Sequence, residues 1–339
     1  VTAPTLRRAW LFQLAATALI TGIVLWRTDV AEVLQHVRTA GWEWYAAGSA
    51  VLFISGLIRT LRWRVCVERL GALPVLPLFG AYWVGNLFNN ALPLRMGDVA
   101  KIQIVANRFG LSRAGLTSAL YVSENVLDLA AIIAMLFLAL AIAEVPFIPS
   151  WFVWGAAAAI VLALGAAIFM TSVLPRDLFE RAWARMFPTR LLGILREGWP
   201  NFQDGMEPLH SPTVFARYNA LNITSWLGFT LAFWAFGQAF HFDVSLATYL
   251  VVNVATALVS AFPITFGNLG TYELVVTEVM VAAGVPRAEA FAFAASAHAL
   301  ILALIISSGL LSVWLLRLRP SDLISLSGSD NRGQAAAGP

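Results

Sequence analysis

An all-α, polytopic helical membrane protein is the fold class this sequence predicts, and three observations carry that expectation. Hydrophobic residues fill 59% of the 339 positions and mean hydropathy is +0.76, whereas soluble domains hold roughly 45–50% apolar residues. Several apolar runs approach or exceed the roughly 18–20 residues that cross a bilayer as a helix, and they do not alternate as the strands of an outer-membrane barrel would. Two Pro–Gly interruptions of such runs also read as copies of one another. Asn90-Ala-Leu-Pro93-Leu-Arg95-Met-Gly97-Asp98 aligns with Ser260-Ala-Phe-Pro263-Ile-Thr265-Phe-Gly267-Asn268, and Gly110-Leu-Ser-Arg113-Ala aligns with Gly284-Val-Pro-Arg287-Ala at nearly the same offset. Paired interruptions in two halves of a membrane chain are the best sequence-level pointer to a transporter-like binding site.

The first apolar run, Trp10 to Trp26, follows Arg7 and Arg8. No small-x-small cleavage site comes after it, so it reads as an uncleaved span that starts on the inside. Residues 29–41 place Val30, Val33, Leu34 and Val37 at helical spacing, the pattern of a short interfacial helix. Spans are expected at about 44–61, 115–143, 150–173, 214–240 and 289–316, which makes six with the first. Residues 175–212, with Arg181, Trp183, Arg185, Met186 and Phe187, form a polar connector suited to the membrane surface. The Ser/Gly/Ala-rich tail at 321–339 has the composition of a disordered segment. Residues 1–320 thus form one membrane domain, with repeat 1 at about 42–143, a connector at 144–212 that includes the fourth span, and repeat 2 at about 213–316.

The two remaining segments, about 75–108 and 246–283, have short apolar arms that bend at the Pro–Gly clusters, and both read as re-entrant hairpins. Pro93 and Gly97 mark the first turn; Pro263, Gly267 and Gly270 mark the second. Charge orients them. Arg59, Arg62, Arg64 and Arg69, then Arg95, Lys101, Arg108 and Arg113, flank the first hairpin against only Glu68 and Asp98, a basic excess that belongs in the cytoplasm. Asp243, Glu273, Glu278 and Glu289 face Arg287 alone around the second, which therefore enters from the other side. The repeats are expected to be inverted, with opposed hairpins whose tips meet near the midplane and with both chain termini in the cytoplasm.

Composition also excludes function classes. Cys66 is the only cysteine, so neither an internal disulfide nor a cysteine metal cluster can form. His36, His210, His241 and His298 have no ligand spacing, and no metal or other cofactor is expected. Lys101, the only lysine, lies in no phosphate-binding glycine loop, so ATP is not the energy source. The pI near 9.3 is accounted for by basic loops facing anionic lipid, without nucleic acid.

The Arg59-x-x-Arg62-Trp63-Arg64 segment, the first hairpin turn running on to Lys101, Glu124-x-x-x-Asp128, and Pro263-x-x-x-Gly267-x-x-Gly270-x-x-Glu273 together resemble the lysylphosphatidylglycerol-synthase transmembrane-region family over roughly residues 10–318. This is the flippase-like module also found in the multiple peptide resistance factor. The resemblance implies a bacterial inner-membrane location and translocation or handling of an anionic or polyprenyl-type phospholipid. About twenty residues follow the last span, so lipid lysylation by this chain alone is not expected. A lipid headgroup-modifying enzyme, or a noncatalytic partner of a separate lipid synthase or glycosyltransferase, stands as the alternative.

Within that frame Arg95, Asp98 and Lys101, at the start of a helix beside the first bend, suit a phosphate headgroup through free N–H groups and cations; a positive-inside loop with local ion pairs would place the same residues there. Arg59 and Arg62, one turn apart, can reach one phosphate together or act as snorkelling anchors. Glu124 and Asp128 share a helix face inside a span, where a carboxylate costs about 2.5–3.5 kcal/mol and so faces a cavity or a partner. Glu124 aligns with His298, a carboxylate and an imidazole at equivalent depths that would suit proton coupling. Glu273 could face a headgroup amine or cation, and Asn86, Asn89 and Asn90 could line the same cavity or serve as packing contacts between helices.

Overall fold

The structure, a computed structural model, describes residues 3–26, 28–71, 73–111, 113–121, 124, 127–142, 151, 154, 155, 158, 211–261 and 263–319. All regular structure among them is helical: α1 (Ala3–Trp26), α2 (Val30–Thr39), α3 (Trp42–Val67), α4 (Val75–Ala91), α5 (Met96–Phe109), α6 (Arg113–Tyr121), α7 (Leu127–Ile142), α8 (Pro212–Ala239), α9 (Leu246–Ala261), α10 (Thr271–Ala282) and α11 (Arg287–Leu315). Most of the expected fourth span, nearly all of the connector and the tail lie outside the described residues. The expected third span corresponds to α6 and α7, with Glu124 described between them.

Two lengths organise the bundle. The helices α1, α3, α8 and α11 have 24, 26, 28 and 29 residues, and at about 1.5 Å per residue each exceeds a hydrocarbon core of roughly 30 Å. Of these, α1 (from Arg7) and α11 are both long and apolar enough to cross a membrane by composition. The paired arms α4–α5 and α9–α10 have 17 and 14, and 16 and 12 residues, too short for that distance. Helix α2 is amphipathic, capped by Asp29, whose Oδ1 accepts from the Ala31 and Glu32 amides. It buries Val33 against Phe291 and Ala292 of α11.

Helices α3 and α8 form the spine. Small residues let them approach: Gly48 lies against Phe236 and the Ala232 carbonyl, and Gly228 against Ser55. Two apolar clusters build outward from this pair. One joins Trp63 and Val67 of α3 and Tyr218 of α8 to Leu78 and Val84 of α4, Ile104 of α5 and Leu116 of α6. The other joins Leu52 and Phe233 to Tyr249 of α9, Met280 of α10, and Phe293 and Ala297 of α11.

The two bends are built differently. At the first, α4 closes with the Leu92 amide on the Phe88 carbonyl, Pro93 stops the helix, and a single tight turn over Pro93–Arg95 leads into α5. Arg95 sits at φ 54°, a left-handed conformation that costs a side chain-bearing residue about 1–2 kcal/mol. At the second, Gly267 (φ 56°), Asn268 (φ 58°) and Gly270 (φ 81°) absorb the reversal, and glycine and asparagine adopt such angles with little strain. The second turn packs against α4: a Cβ at Gly267 would lie 3.7 Å from the Asn90 carbonyl. The two bends therefore adjoin.

Candidate functional site

A cavity of about 430 Å³ lies where the bends meet. Its wall takes Gln13 from α1, Arg59 from α3, Tyr82, Trp83, Asn86, Asn89 and Asn90 from α4, and Arg95 from the first bend. Across from these come Glu124, Asp128 and Leu129, then Trp226, Phe229 and Phe233 of α8, Asn253 and Leu258 of α9, Pro263, Thr265, Gly267 and Asn268 of the second bend, Tyr272 of α10, and His298 and Ile301 of α11. That size matches a small polar headgroup or metabolite. Leu129 of α7 and Leu258 of α9 both line it and are 39% and 46% exposed.

Three charge networks border it. In the first, Arg62 is 1% exposed and paired with Asp128 and the Asn222 amide oxygen. Arg62 Nη2 also donates to Asp128 Oδ2 at 3.3 Å, Trp226 Nε1 donates to Oδ1 at 3.2 Å, and the guanidinium lies over the Tyr218 ring. Asn222 in turn donates to the Leu127 carbonyl. Helices α3, α7 and α8 are thereby tied at one buried point.

The second network sits on the first hairpin. Lys101, 5% exposed, donates to Glu124 Oε2 at 2.6 Å and contacts Asp98 Oδ1 at 3.1 Å. Arg95 Nε donates to Asp98 Oδ2 at 3.0 Å. Asn89 and Asp98 exchange two bonds, Nδ2 to Oδ1 at 2.9 Å and the Asp98 amide to the Asn89 Oδ1 at 3.2 Å, which locks α5 to α4. Two cations meet two carboxylates, so this group is neutral within itself.

The third network is on the second hairpin. Glu273 accepts the Gly270 amide on Oε2 at 2.6 Å and shares a 2.6 Å hydrogen bond with His298 Nδ1 on Oε1. Tyr272 stacks on the His298 ring, with centroids 4.2 Å apart. The second arm of each hairpin is thus pinned by one buried polar pair: Lys101 to Glu124 in the first, Glu273 to His298 in the second. The carboxylate lies beyond the hairpin in the first pair and on it in the second.

Arg59 stands apart from all three. Its guanidinium rests 4.8 Å from the Trp226 ring centroid and 4.7 Å from that of Phe229, a cation–π arrangement. Its Nε is buried without a hydrogen-bond partner.

Of the residues singled out from sequence, Arg59, Asn86, Asn89, Asn90, Arg95, Glu124, Asp128, Pro263, Gly267 and His298 line the cavity. Arg62, Asp98, Lys101 and Glu273 stand behind it and hold lining residues in place; Arg62 and Arg59, one turn apart, do not converge on one point. Pro93, Gly97 and Gly270 shape the bends. Gln13, Tyr82, Trp226, Phe229, Asn253 and the buried Asn222 were not anticipated. Asn222 and Asn253 carried a usable signal, since amides inside apolar spans face the bundle interior.

Fold and site together define a helical membrane module with a polar cavity between paired hairpins. The chain belongs to the family of the lysylphosphatidylglycerol synthase transmembrane region, whose sequence model matches residues 10–309. That membership links it to membrane lipid metabolism. No curated protein and no solved structure matches the chain.

Proposed function

We propose that the protein is a flippase-like transporter that takes a phospholipid headgroup into this cavity while the chains stay in the bilayer. The observation that carries the reading is a cavity bordered by both bends, holding a guanidinium with no ion-pair partner among the described residues and lined in part by the apolar, partly exposed Leu129 and Leu258. The hairpin arms, too short to span, turn back inside the membrane, and their irregular bends are tolerable there because protein and cavity surround them. Opposite flank charges make the two hairpins enter from opposite faces, an inverted pair able to expose the cavity to each side in turn. Glu124, Asp128 and Glu273, the carboxylates an enzyme would draw on, are each held by a cation or an imidazole, which favours transport over chemistry.

Reconstituted in liposomes with fluorescent phospholipid reporters, the purified protein should move reporter between leaflets without altering it, and Arg59→Gln should slow that movement by about tenfold, the loss of one charge-assisted contact. A chemically modified headgroup would establish the enzyme reading instead. Neither movement nor modification would leave the partner role.

Topology gives an independent expectation. In a Cys66→Ala background, Asn107→Cys near the end of α5 and Ala282→Cys at the end of α10 should react with an impermeant thiol reagent from opposite faces of the membrane. Reaction from one face would remove the inverted arrangement and alternating access with it.

A further inference from the structure

Of the three charge networks at the cavity, only the third can change its charge near neutral pH. Arg62 against Asp128, and Lys101 and Arg95 against Glu124 and Asp98, are pairs of groups that ordinarily keep their charge between about pH 5 and 8. The second hairpin is fastened by a carboxylate on an imidazole instead, and imidazole is the side chain that ordinarily titrates in that range. The Glu273–His298 pair carries one negative charge when the ring is neutral and none when it is protonated.

Placement joins that charge to a bend. His298 sits on the long span α11, and its ring lines the cavity while the residue is only 3% exposed. Nδ1 is engaged with Glu273 Oε1 at 2.6 Å, which leaves Nε2 as the nitrogen through which a proton is exchanged with the cavity. The other carboxylate oxygen accepts the Gly270 amide at 2.6 Å, so the group that faces the imidazole also holds the left-handed residue that closes the second bend. Tyr272, stacked on the ring, fixes its plane.

The other titratable or charged groups described on this wall are Arg59 of α3, Tyr82 of α4, Arg95 of the first bend, Glu124 and Asp128; the lining residues of α1, α8 and α9 include none. Helix α2 meets α11 at Phe291 and Ala292, about two turns from His298, and its own imidazole, His36, faces Glu32 on the surface. Glu124, the sequence counterpart of His298, belongs to Lys101.

We propose that His298, held by Glu273, is a proton-binding site through which a transmembrane proton gradient drives lipid movement. The proton enters from the cavity at Nε2 and turns imidazole into imidazolium. The bond to Glu273 then joins two charged partners, the stronger kind. Loss of the proton leaves the carboxylate against a neutral ring and loosens α10 and Gly270 from α11. The first hairpin stays fastened throughout, so the proton acts on the second alone. This inference rests on the transport reading above and supplies its energy source.

The test reads leaflet distribution, not rate. The full chain is reconstituted in liposomes with fluorescent phosphatidylglycerol, phosphatidylethanolamine or lysylphosphatidylglycerol, valinomycin and potassium holding the membrane potential at zero and protein-free liposomes giving the baseline. One proton per lipid converts a pH gradient of about two units into a leaflet ratio approaching about a hundredfold, and at least about tenfold is expected for a reporter that the protein moves. A protonophore should return the ratio to the baseline. His298→Asn and His298→Gln keep an amide N–H but take up no proton; each should carry the same reporter only to the baseline ratio, at whatever rate, with melting curves showing which variants fold. A merely structural histidine would slow both variants and leave the final ratio unchanged. A parent ratio at the baseline under the gradient, or a parent-like ratio in a folded variant, would overturn proton coupling at His298 and leave a lipid transporter standing. Movement of none of the three reporters, with or without the gradient, would overturn the transport reading and the coupling with it.

Discussion

Replacing Asp128 with leucine is expected to be the most destabilising single change in the bundle. The carboxylate neutralises Arg62, which is 1% exposed, and receives the Trp226 indole as well. Removing it leaves a guanidinium uncompensated where helices α3, α7 and α8 meet. Breaking a buried pair from one side costs about 3–5 kcal/mol, whereas replacing both partners by apolar residues of similar volume is often neutral. Asp128→Leu should therefore fail to yield a cooperative melt in detergent, and Arg62→Met combined with Asp128→Leu should recover most of the parent melting temperature. A single variant as stable as the parent, or a double variant no better than the single one, would show that the pair is not what fastens these helices.

The second large effect is expected at Gly97. A Cβ there would lie 1.8 Å from the Gly85 carbonyl oxygen and 2.6 Å from the Asn89 amide nitrogen. Both are backbone atoms, so no side-chain rotation can make room and the arms of the first hairpin must separate. Overpacking of this kind costs about 1–3 kcal/mol or more, and here separation also pulls Asn89 from Asp98, whose two mutual bonds set the position of the Lys101–Glu124 pair. Gly97→Ala should lower the melting temperature sharply and abolish lipid movement. Gly22→Ala is the control, since nothing lies within 4 Å of a Cβ there, and alanine is the better helix former by about 0.8–1 kcal/mol. Equal melting temperatures for the two variants would remove the close-approach explanation.

The sequence was most informative where physics acts locally. Proline and glycine inside short apolar runs located both hairpins, expected at 75–108 and 246–283 and found as α4–α5 over 75–109 and α9–α10 over 246–282. The helical spacing of Val30, Val33, Leu34 and Val37 located α2. What could not be read were partners. Arg59 and Arg62 lie three residues apart on one helix, yet one faces the cavity and the other is sealed behind it, because Asp128 and Asn222 arrive from distant helices to claim only the second. Glu124 and Asp128 divide likewise, one to Lys101 and one to Arg62. A charge seen in sequence reports that a counter-charge is needed in an apolar medium; which residue supplies it is decided by packing of segments far apart along the chain. The same holds for Trp226 and Phe229, unremarkable in an apolar span until Arg59 is laid across them.

Helix α1 has a consequence of its own. It is barely packed: Leu11, Phe12, Leu14 and Leu19 are all at least half exposed. Yet Gln13 donates to the Pro263 carbonyl at 2.9 Å, Thr17 Oγ1 accepts the Phe266 amide at 2.8 Å, and Trp10 lies 5.5 Å from the Phe266 ring. These backbone groups belong to a broken stretch of chain that no helix of its own satisfies, and hydrocarbon offers no substitute. Any rearrangement of the second bend must carry α1 with it or strand a carbonyl and an amide without partners. Exposed on one side, α1 thus ties the second bend, through Gln13 and Thr17, to Phe291 and Ala292 of α11, against which its Val24 packs, so a shift of that bend is transmitted along α1 to α11.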